Sequence, residues 1–411
     1  MGDTVRVPGP ELQPLVERLS RHLPGVAVTA YDGSRSGPPD AATTIAIRTP
    51  AAFARVLRAP RGLGLARAWV AGDIDISGDI TPVAAHEPDL HDPAVAVTVL
   101  TTALRVAARR GFRDLATAGA TASEYRAARP GRHTVGRDRA ELDFHYGLTA
   151  DFYRLLLGPS MTYSGAMFAG PGDSLEAAQD RKHARIAGKL GLGEHSTVLD
   201  IGCGWGSFLD HADTAHGSRG IGFTASREQY EYASRRFSGR PGVCVRYGDY
   251  RQQLPLSGST AGITAVASIG MYEHVGERRS REFFSLVRRS LRPGARYLNQ
   301  AITRRETGPR RLRANAFAQR YVFPNGQLLP LSRQLADLDR AGFRVLSTES
   351  FGEGYARTTG AWLGNLERHW DACVAAAGLE RTRAWRAYLA GSRRRFEDGT
   401  IDVTQVLAEA R

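Results

Sequence analysis

The chain contains 411 residues, of which 42% are hydrophobic, and it carries a formal net charge of +13 at pH 7. This length exceeds one ordinary core and predicts two domains, while no apolar run reaches the roughly 18 residues that would indicate a membrane span. The N-terminus lacks the features of a signal peptide, and Cys203, Cys244 and Cys373 show no C-x-x-C spacing, so we expect a cytoplasmic protein with reduced, packed thiols and no disulfides or bound metal.

The excess positive charge would ordinarily indicate an anionic partner. No basic stripe interleaved with aromatic residues is present, so nucleic acid is not expected as a partner. An anionic membrane surface is the better candidate, which predicts peripheral association with the inner face of the membrane. Because lysine occurs only at Lys182 and Lys189 and all other basic residues are arginine, a GC-rich coding bias is an alternative source of the charge.

Residues 1–122 are predicted to form a small α+β domain. A helix, two strands, a second helix and a third strand follow one another near 11–22, 26–31, 43–48, 50–59 and 70–78. Asp32-Gly33-Ser34 is typical of a hairpin turn after the first strand. No residue here carries recognisable chemistry, so two interpretations stay open, an accessory domain that binds acyl chains and a structural lobe.

Residues 123–141 are predicted to be a basic linker. This stretch contains several arginines, among them Arg126, Arg129, Arg132, Arg137 and Arg139, but almost no apolar periodicity. The arginines are candidates for contact with phospholipid headgroups.

Residues 142–411 are predicted to form the catalytic domain, an α/β fold with a doubly wound, mostly parallel, Rossmann-like sheet. A helix near 175–190 precedes strands that alternate with helices, near 198–201, 220–223, 243–247, 263–268, 296–302, 343–351 and 400–406. In such a fold the ligand crevice lies beyond the C-terminal ends of the strands. Candidate chemistry is therefore expected just after the strands.

The first of these strands runs into the glycine-rich turn Gly202-Cys203-Gly204-Trp205-Gly206. Alternate glycines allow a sharp turn and let a ligand lie against backbone N–H groups. The G-x-G-x-G spacing differs from that of dinucleotide sites, and Thr224 ends the next strand where a nicotinamide site would place a ribose carboxylate. Asp200 precedes the glycines and suits a cationic ligand. The turn therefore predicts a site for S-adenosylmethionine (SAM), with a plain structural turn as the alternative.

Further candidate residues follow the later strands. They are Asp249 and Tyr250 after the third strand, Glu273 and His274 after the fourth, and Gln300 and Ile302 at the end of the fifth. The first pair suits adenine binding. For Glu273 the alternative is a carboxylate favoured by a helix dipole, and for His274 we prefer a packing role.

An insertion after the fifth strand, residues 304–320, is strongly basic and is followed by the partly apolar segment 321–330. Its arginines are Arg304, Arg305, Arg310, Arg311, Arg313 and Arg320. This mixture suits a lid over a lipid tunnel, and a solvated charged helix is the alternative.

Several ordered motifs between residues 145 and 406 together resemble those of the cyclopropane-fatty-acyl-phospholipid synthases and the related mycolic acid and fatty acid methyltransferases. They are His145-Tyr146-Gly147-Leu148, Tyr163-Ser164, the segment 199–206, Glu273-His274-Val275-Gly276, Phe323-Pro324-Asn325-Gly326, the segment 354–359 with Trp362, and Ile401-Asp402-Val403. The N-terminal region is similar to the smaller lipid-binding domain of the bacterial phospholipid enzymes, mainly through Ala71-Gly72-Asp73.

The resemblance implies a SAM-dependent C-methyltransferase that acts on the cis double bond of an acyl chain esterified in membrane phospholipid. The cofactor-binding positions that it carries over are Tyr163, Ser164, Val198, Asp200, Gly202, Gly204, Gly206, Thr224, Gln229, Asp249, Tyr250 and Arg251. An alkene is a weak nucleophile, so such an enzyme must align it with the sulfonium methyl and keep water from the resulting cation.

In this family a bicarbonate ion near that cation serves as the base. The matching catalytic positions are Gly165, Glu273, Gln300, Ile302 and Tyr355. The family commonly has cysteine at position 165 and histidine at position 300, and Ser392 stands where it has a further cysteine. Glycine keeps a backbone N–H, whereas glutamine donates a hydrogen bond but cannot carry a proton as imidazole does.

Three functions therefore stay open. The first is methylation of an unsaturated phospholipid acyl chain, with a methylene or methyl branch slightly preferred over a cyclopropane because of Gln300. The second is methylation of a soluble small molecule, which the basic insertion opposes. The third is a lipid-binding homologue without catalysis, which Glu273 and Tyr355 oppose. A homodimer is an open alternative to a monomer.

Overall fold

The fold is taken from a computed structural model that describes residues 11–59, 63–86, 92–110, 119–125, 134–255, 262–306 and 316–411. The chain divides into two compact units. Unit 1 comprises Met1–Glu124 and Leu379–Gly391, and unit 2 comprises Tyr125–Gly378 and Ser392–Arg411. No helix in the described residues combines the length and the hydropathy that crossing a bilayer requires.

Unit 1 is built on a four-stranded sheet with the order β2-β1-β3-β4. Its strands are β1 (Val26–Ala30), β2 (Arg35–Ser36), β3 (Thr43–Ile47) and β4 (Ile74–Gly78), and its helices are Gln13–His22, Ala51–Arg58, Leu63–Ala71, Thr81–Ala85 and Pro93–Arg110. β1 and β2 are antiparallel, which confirms the predicted hairpin. The strand predicted over 70–78 is shorter, because Val70 and Ala71 still belong to a helix.

The motif Ala71-Gly72-Asp73 has a structural role in unit 1. Gly72 turns the chain at a φ of +83°. The buried Asp73 accepts hydrogen bonds from Thr49 Oγ1 and from Arg55 Nε, both at 2.6 Å. This carboxylate therefore ties the turn before β4 to the helix Ala51–Arg58.

Unit 1 also contains the first part of the helix Leu379–Glu397, which the sequence placed in the catalytic domain 142–411. The indole N–H of Trp69 donates to the carbonyl oxygen of Arg383 at 3.0 Å, and Arg386 Nη1 donates to that of Ile76 at 2.7 Å. These partners are more than 300 residues apart in the chain, at separations of 314 and 310. No local pattern can reveal such a pairing.

Unit 2 contains the predicted doubly wound α/β fold, which is confirmed. Its strands are β5 (Thr197–Ile201), β6 (Arg219–Thr224), β7 (Val243–Tyr247), β8 (Ala265–Ile269), β9 (Arg296–Arg304), β10 (Leu329–Pro330), β11 (Phe343–Ser350) and β12 (Ile401–Ala410). Their order is β11-β12-β9-β8-β5-β6-β7, with β10 beside β9. β12 runs antiparallel to both of its neighbours, and the other described pairs are parallel.

Helices cover both faces of this sheet. They are Val135–Tyr146, Ala150–Leu157, Leu175–Leu190, Ser207–His216, Arg227–Arg236, Tyr250–Gln253, Ser280–Arg289, Ala316–Tyr321, Leu331–Arg340, Gly352–Arg368 and Trp370–Ala377.

Side chains alternate along β9, so Tyr297 and Ala301 join one apolar cluster and Leu298 joins the other. Gln300 and Ile302 therefore lie on the face of Leu298, which packs with the cluster that includes Ile186.

The linker predicted over 123–141 is wrong in its second half. Residues 126–133 lie outside the described residues, but a helix begins at Val135, and Thr134 caps it by accepting from the backbone N–H of Arg137 at 3.4 Å. The helix contacts the rest of unit 2 through polar groups, as in the 2.8 Å hydrogen bond from Arg251 Nη2 to Oδ2 of Asp138. A helix that packs through ion pairs lacks the apolar period on which the prediction relied.

Two further predictions concern the basic insertion and the cysteines. In the insertion 304–320, residues 307–315 lie outside the described part of the chain, and with them Arg310, Arg311 and Arg313 of the predicted lid. Cys203 and Cys373 are buried, as predicted for packed thiols, whereas Cys244 is exposed on β7, so the prediction is wrong for that residue.

Candidate active site

The glycine turn after β5 has the backbone geometry that was predicted. Gly202, Gly204 and Gly206 have φ angles of +81°, +56° and +83°, where any side chain is strained. A Cβ built on Gly202 would lie 2.9 Å from Cβ of Met271, whereas one on Gly204 would meet only Nε2 of Gln229, at 4.0 Å. Gly204 therefore faces open space, and a side chain there would project into a cavity.

This cavity lies at the C-terminal ends of β5 to β8. Its lining includes these residues predicted to bind SAM: Tyr163, Ser164, Asp200, Gly202, Gly204, Thr224, Gln229, Asp249, Tyr250 and Arg251. Two predicted contacts lie elsewhere. Val198 is buried near the start of β5, paired with Gly220 and Ala265, and Gly206 begins the helix Ser207–His216 against the ring of Phe237. Both residues flank the glycine turn or belong to it, but neither lines the cavity.

Asp200 lies in the cavity wall together with a buried ammonium group. Lys182 is fully buried, and its Nζ donates to Oγ of Ser164 at 2.6 Å. Burial raises the pKa of Asp200 to about 7 and lowers the pKa of Lys182 to about 7, and the attraction between the two opposite charges opposes both shifts. Oδ1 of Asp200 is buried without a hydrogen-bond partner among the described residues. A cationic ligand would supply that partner.

Thr224 fixes the orientation of Gln229 on the β6 side of the cavity. Its hydroxyl donates to Oε1 of Gln229 at 2.8 Å in a buried position. The amide oxygen is thereby engaged, and the amide nitrogen lies on the side of Gly204. Gln229 therefore presents its NH₂ group as a hydrogen-bond donor for a ligand.

Arg251 lines the cavity just after β7 and binds two carboxylates there. Its Nε and Nη2 donate to the two carboxylate oxygens of Asp249 at 2.8 Å and 2.5 Å. Nη2 also reaches Oδ2 of Asp138 at 2.8 Å. Asp249 caps the short helix Tyr250–Gln253 as well, so the position of Tyr250 in the cavity wall is set by a clamped turn.

Several lining residues were missed from the sequence. They are Asp138, Tyr146, Met161, His183 and Met271, among others. Asp138 and Tyr146 belong to a helix whose start carries two known signals, a threonine cap and an acidic first turn, which could have revealed it. His274 packs against Phe323 with ring centroids 4.5 Å apart, which confirms its predicted packing role, and it lines the cavity in addition.

Glu273 lies on a single 3₁₀ turn after β8 and is completely buried. Its Oε1 accepts a hydrogen bond of 2.7 Å from the backbone N–H of Ile302, while Oε2 is buried without a partner among the described residues. Burial raises the pKa of this carboxyl to about 7, and the bond from Ile302 acts in the opposite direction. Glu273 can thus exchange a proton near neutral pH, as a general acid or base requires.

The other predicted catalytic residues lie on the strand β9, on the helix Gly352–Arg368 and in the segment before the helix Leu175–Leu190. Gln300 is buried on β9, where its carbonyl oxygen accepts from the N–H of Gly270 at 2.9 Å. A Cβ built on Gly165 would lie 2.8 Å from Cγ of Tyr355, so glycine is what allows this close approach. The predicted set Gly165, Glu273, Gln300, Ile302 and Tyr355 is absent from the described lining of this cavity. Ser164 and His274, which are next to Gly165 and Glu273 in the chain, belong to the lining.

One of these residues, Tyr355, packs among other aromatic rings. Tyr355 stacks on Phe396 with centroids 4.4 Å apart and meets Trp362 edge-on at 6.0 Å. Trp362 also packs on Tyr163, at 5.2 Å, which lines the cavity. We call Tyr163, Tyr355, Trp362 and Phe396 the aromatic wall. Such a wall excludes water and offers π faces to a positive charge.

Comparison with known proteins identifies the family of this chain. Residues 133–406 match the family described as mycolic acid cyclopropane synthetase. A probable fatty acid methyltransferase of Mycobacterium tuberculosis is 35% identical over 396 residues, which cover 92% of this chain and 90% of that protein.

Two solved structures are similar to about two thirds of this chain. The cyclopropane synthase MmaA2 from Mycobacterium tuberculosis has a TM-score of 0.62 at 30% identity, with 66% of this chain and 98% of that chain covered. The mycolic acid cyclopropane synthase CmaA1, crystallised with SAH and CTAB, has a TM-score of 0.61 at 29% identity, with 66% and 98% covered.

Proposed function

Because the chain belongs to the mycolic acid cyclopropane synthetase family, we propose that it methylates the cis double bond of an unsaturated acyl chain esterified in a membrane phospholipid. Family membership makes it a SAM-dependent methyltransferase that acts on lipids. The phospholipid, the double bond and the product are the proposed part. The observation that carries the proposal is Glu273, a buried carboxyl with one oxygen held by Ile302 and the other without a partner among the described residues.

The cavity residues fit the cofactor. SAM supplies an activated methyl group when it is bound. Oδ1 of Asp200, which has no partner among the described residues, suits the cationic methionine end of SAM. The open space at Gly204 allows the ligand to approach the backbone closely, and the NH₂ group of Gln229 can donate a hydrogen bond to it from the same side. These three features would hold the ligand without any side chain at the glycine turn.

The aromatic wall and Glu273 suit attack by an alkene. Carbon–carbon double bonds are weak nucleophiles, so rate depends on alignment and on excluding water from the cation that forms on the acyl chain. The rings of Tyr355 and Trp362 stabilise such a cation, and the Glu273 carboxylate adds a negative charge in a dry site, where it acts strongly. The cation then loses a proton, which sets the product.

Bicarbonate is the base that we propose for this proton. The residues fit bicarbonate, since the Gln300 NH₂ group can donate to one of its oxygens and its own O–H can donate to Oε2 of Glu273, which has no partner in the described part of the chain. Gly165 contributes at most a backbone N–H. Because Gln300 replaces an imidazole, we propose a methylene branch, or a methyl branch on a retained double bond, in preference to a cyclopropane as the product. Each of these forms from the cation by loss of one proton and needs no reductant.

The helix Pro93–Arg110 of unit 1 supports contact with a lipid surface. Val97, Leu100 and Leu104 are 60%, 47% and 53% exposed and recur at the spacing of one helix face. Exposed Arg105 and Arg109 flank this stripe. An apolar stripe beside arginines is typical of helices that lie on anionic membranes, so we propose peripheral association with the inner face of the membrane.

The proposal is tested by incubating the purified protein with SAM and vesicles of a mono-unsaturated phosphatidylglycerol, with the fully saturated lipid as the control. Mass spectrometry of the released fatty acids should show one added carbon only with the unsaturated lipid. Gas chromatography separates a branched ester from a cyclopropane ester. Methylation of free oleate but not of the esterified chain would overturn the phospholipid assignment, and a sole cyclopropane product would overturn the branch.

A further inference from the structure

The buried side-chain amides of Gln300 and Gln405 are hydrogen-bonded to each other, and Gln405 is hydrogen-bonded in turn to Lys189. Nζ of Lys189 lies 2.7 Å from Oε1 of Gln405, and Nε2 of Gln405 lies 3.0 Å from Oε1 of Gln300. Gln405 and Gln300 are directly opposite each other on the antiparallel strands β12 and β9, and both are buried. Glu349 holds the outer end, with Nζ of Lys189 at 2.5 Å.

Donor and acceptor chemistry allows only one orientation of this line. An ammonium group donates and never accepts, so the Gln405 atom that faces Lys189 must be the amide oxygen. The NH₂ group of Gln405 then faces Gln300, and the Gln300 atom that meets it must be an oxygen. The NH₂ group of Gln300 is thereby turned away from β12. Since β9 lies between β12 and β8, this group is directed to the β8 side, from which the turn of Glu273 begins.

We infer that Lys189 and Gln405 are positioning residues, which lock the Gln300 amide so that the reaction centre meets a hydrogen-bond donor at this position. Within the described part of the chain Nε2 of Gln300 has no hydrogen-bond acceptor, so a ligand can occupy it. An oxyanion such as bicarbonate is the chemical class that fits a lone amide donor. This inference rests on the proposed function for the identity of that ligand, but the orientation itself does not.

This fixed orientation of the Gln300 amide also distinguishes glutamine from the imidazole that is common in the family. A histidine at this position can hand a proton onward, whereas an amide held by its oxygen can only donate a hydrogen bond. Position 300 therefore holds the base in place and takes no part in moving the proton.

Replacing Gln405 by glutamate tests the orientation directly, because it should invert Gln300. Glutamate has nearly the same shape and keeps its contact with Lys189, but its other oxygen cannot donate. Gln300 must then rotate and donate its NH₂ group to the new carboxylate. In protein labelled with ¹⁵N in glutamine side chains, the Gln300 amide signal, assigned by its loss in Gln300→Leu, should move downfield in Gln405→Glu. An unchanged signal would overturn the inference even if the protein methylates no phospholipid.

A double-mutant cycle tests the consequence for turnover. Gln405→Glu should lower kcat about tenfold or more with SAM affinity unchanged, yet have less than about a twofold effect in a Gln300→Leu background, because there is no amide left to orient. Arg185→Gln is the matched control, since Arg185 is about half exposed and both of its side-chain hydrogen bonds among the described residues go to the outer Glu349, and it should leave kcat unchanged. Equal losses in both backgrounds would show a merely structural role for Gln405.

Discussion

Glu273 and Ile302 are joined by a hydrogen bond of 2.7 Å from a backbone N–H to one carboxyl oxygen, in a fully buried site. This bond links the turn after β8 to the strand β9. It determines which oxygen of Glu273 stays available for chemistry, namely Oε2.

The first prediction concerns this oxygen. Glu273→Gln should lower kcat by about 10² or more while the affinity for SAM, measured by calorimetry, changes little, because the charge is needed only when the cation forms. Glu277→Gln is the control, since that carboxylate is largely exposed and lies four residues away. A loss of SAM binding in parallel with kcat would place Glu273 in the cofactor site instead.

The second prediction concerns pH. The pKa of Glu273 rises from 4.5 to about 7 in the fold, so the unfolded chain loses this proton first as pH rises. The free energy of unfolding should therefore fall between about pH 4.5 and 7, by up to about 3 kcal/mol from this group, and level off above 7. Glu273→Gln should remove this contribution and leave that of Asp200, whose pKa is also raised to about 7, and the variant should be more stable than the wild type at pH 8 in urea unfolding. Parallel curves for the two proteins would contradict the buried charge.

The third prediction concerns the close approach of Gly165 and Tyr355. Gly165→Cys, which restores the common residue of the family, should displace the Tyr355 ring from Phe396, because the new Cβ would lie 2.8 Å from it. Overpacking of this kind costs about 1–3 kcal/mol of stability, and we expect at least a tenfold loss of turnover. Gly170→Ala is the control, since a Cβ there meets nothing within 4 Å. Full activity of Gly165→Cys would show that Tyr355 has room to move.

The fourth prediction concerns the cofactor turn. Gly204→Val places a β-branched residue at a φ of +56° and directs its side chain into the cavity. Titration calorimetry should show at least about a 100-fold loss of SAM affinity, with unit 1 still folded. Gly188→Ala, in a helix with open space at Cβ, should bind SAM as the wild type does. Unchanged affinity of the valine variant would refute the assignment of the turn.

The fifth prediction concerns the exposed stripe of the helix Pro93–Arg110. Flotation with vesicles should require anionic lipid and weaken with salt, and a triple variant, Val97→Ser with Leu100→Ser and Leu104→Ser, should bind at least several-fold less. Replacing Thr101, which is exposed on the same helix, by serine should have no effect. Loss of a dimer in the triple variant, without any change in vesicle binding, would assign the stripe to a homodimer.

Much of unit 2 was predictable because its signals are local. The strand that ends in Asp200 and Ile201, the glycines that follow it, and the alternation of strands and helices each depend on a few neighbouring residues. Residues just after strands were likewise predicted to share one crevice, and Asp200, Thr224 and Asp249 do share it. Here the topology of a parallel sheet converts a sequence position directly into a place at the site.

Other features could not be read in this way. The helix Val135–Tyr146 contacts other elements through Asp138, which accepts from Arg251, and through Glu141, which accepts from Asn325. These contacts form no apolar stripe, so periodicity does not reveal the helix. The segment Leu379–Gly391 belongs to unit 1 through contacts with Trp69 and Ile76 near the other end of the chain.

By itself the sequence determined the α/β class, the glycine turn and the identity of the chemical groups, because secondary structure and turn geometry follow from short-range sterics and hydrogen bonding. Only the tertiary structure decided the states of those groups. The raised pKa of Glu273 comes from burial by many distant residues, and the orientation of Gln300 comes from Lys189 and Gln405, which lie 111 residues before it and 105 after it. Burial and hydrogen-bond direction depend on which segments meet in space, and that is a property of the whole fold.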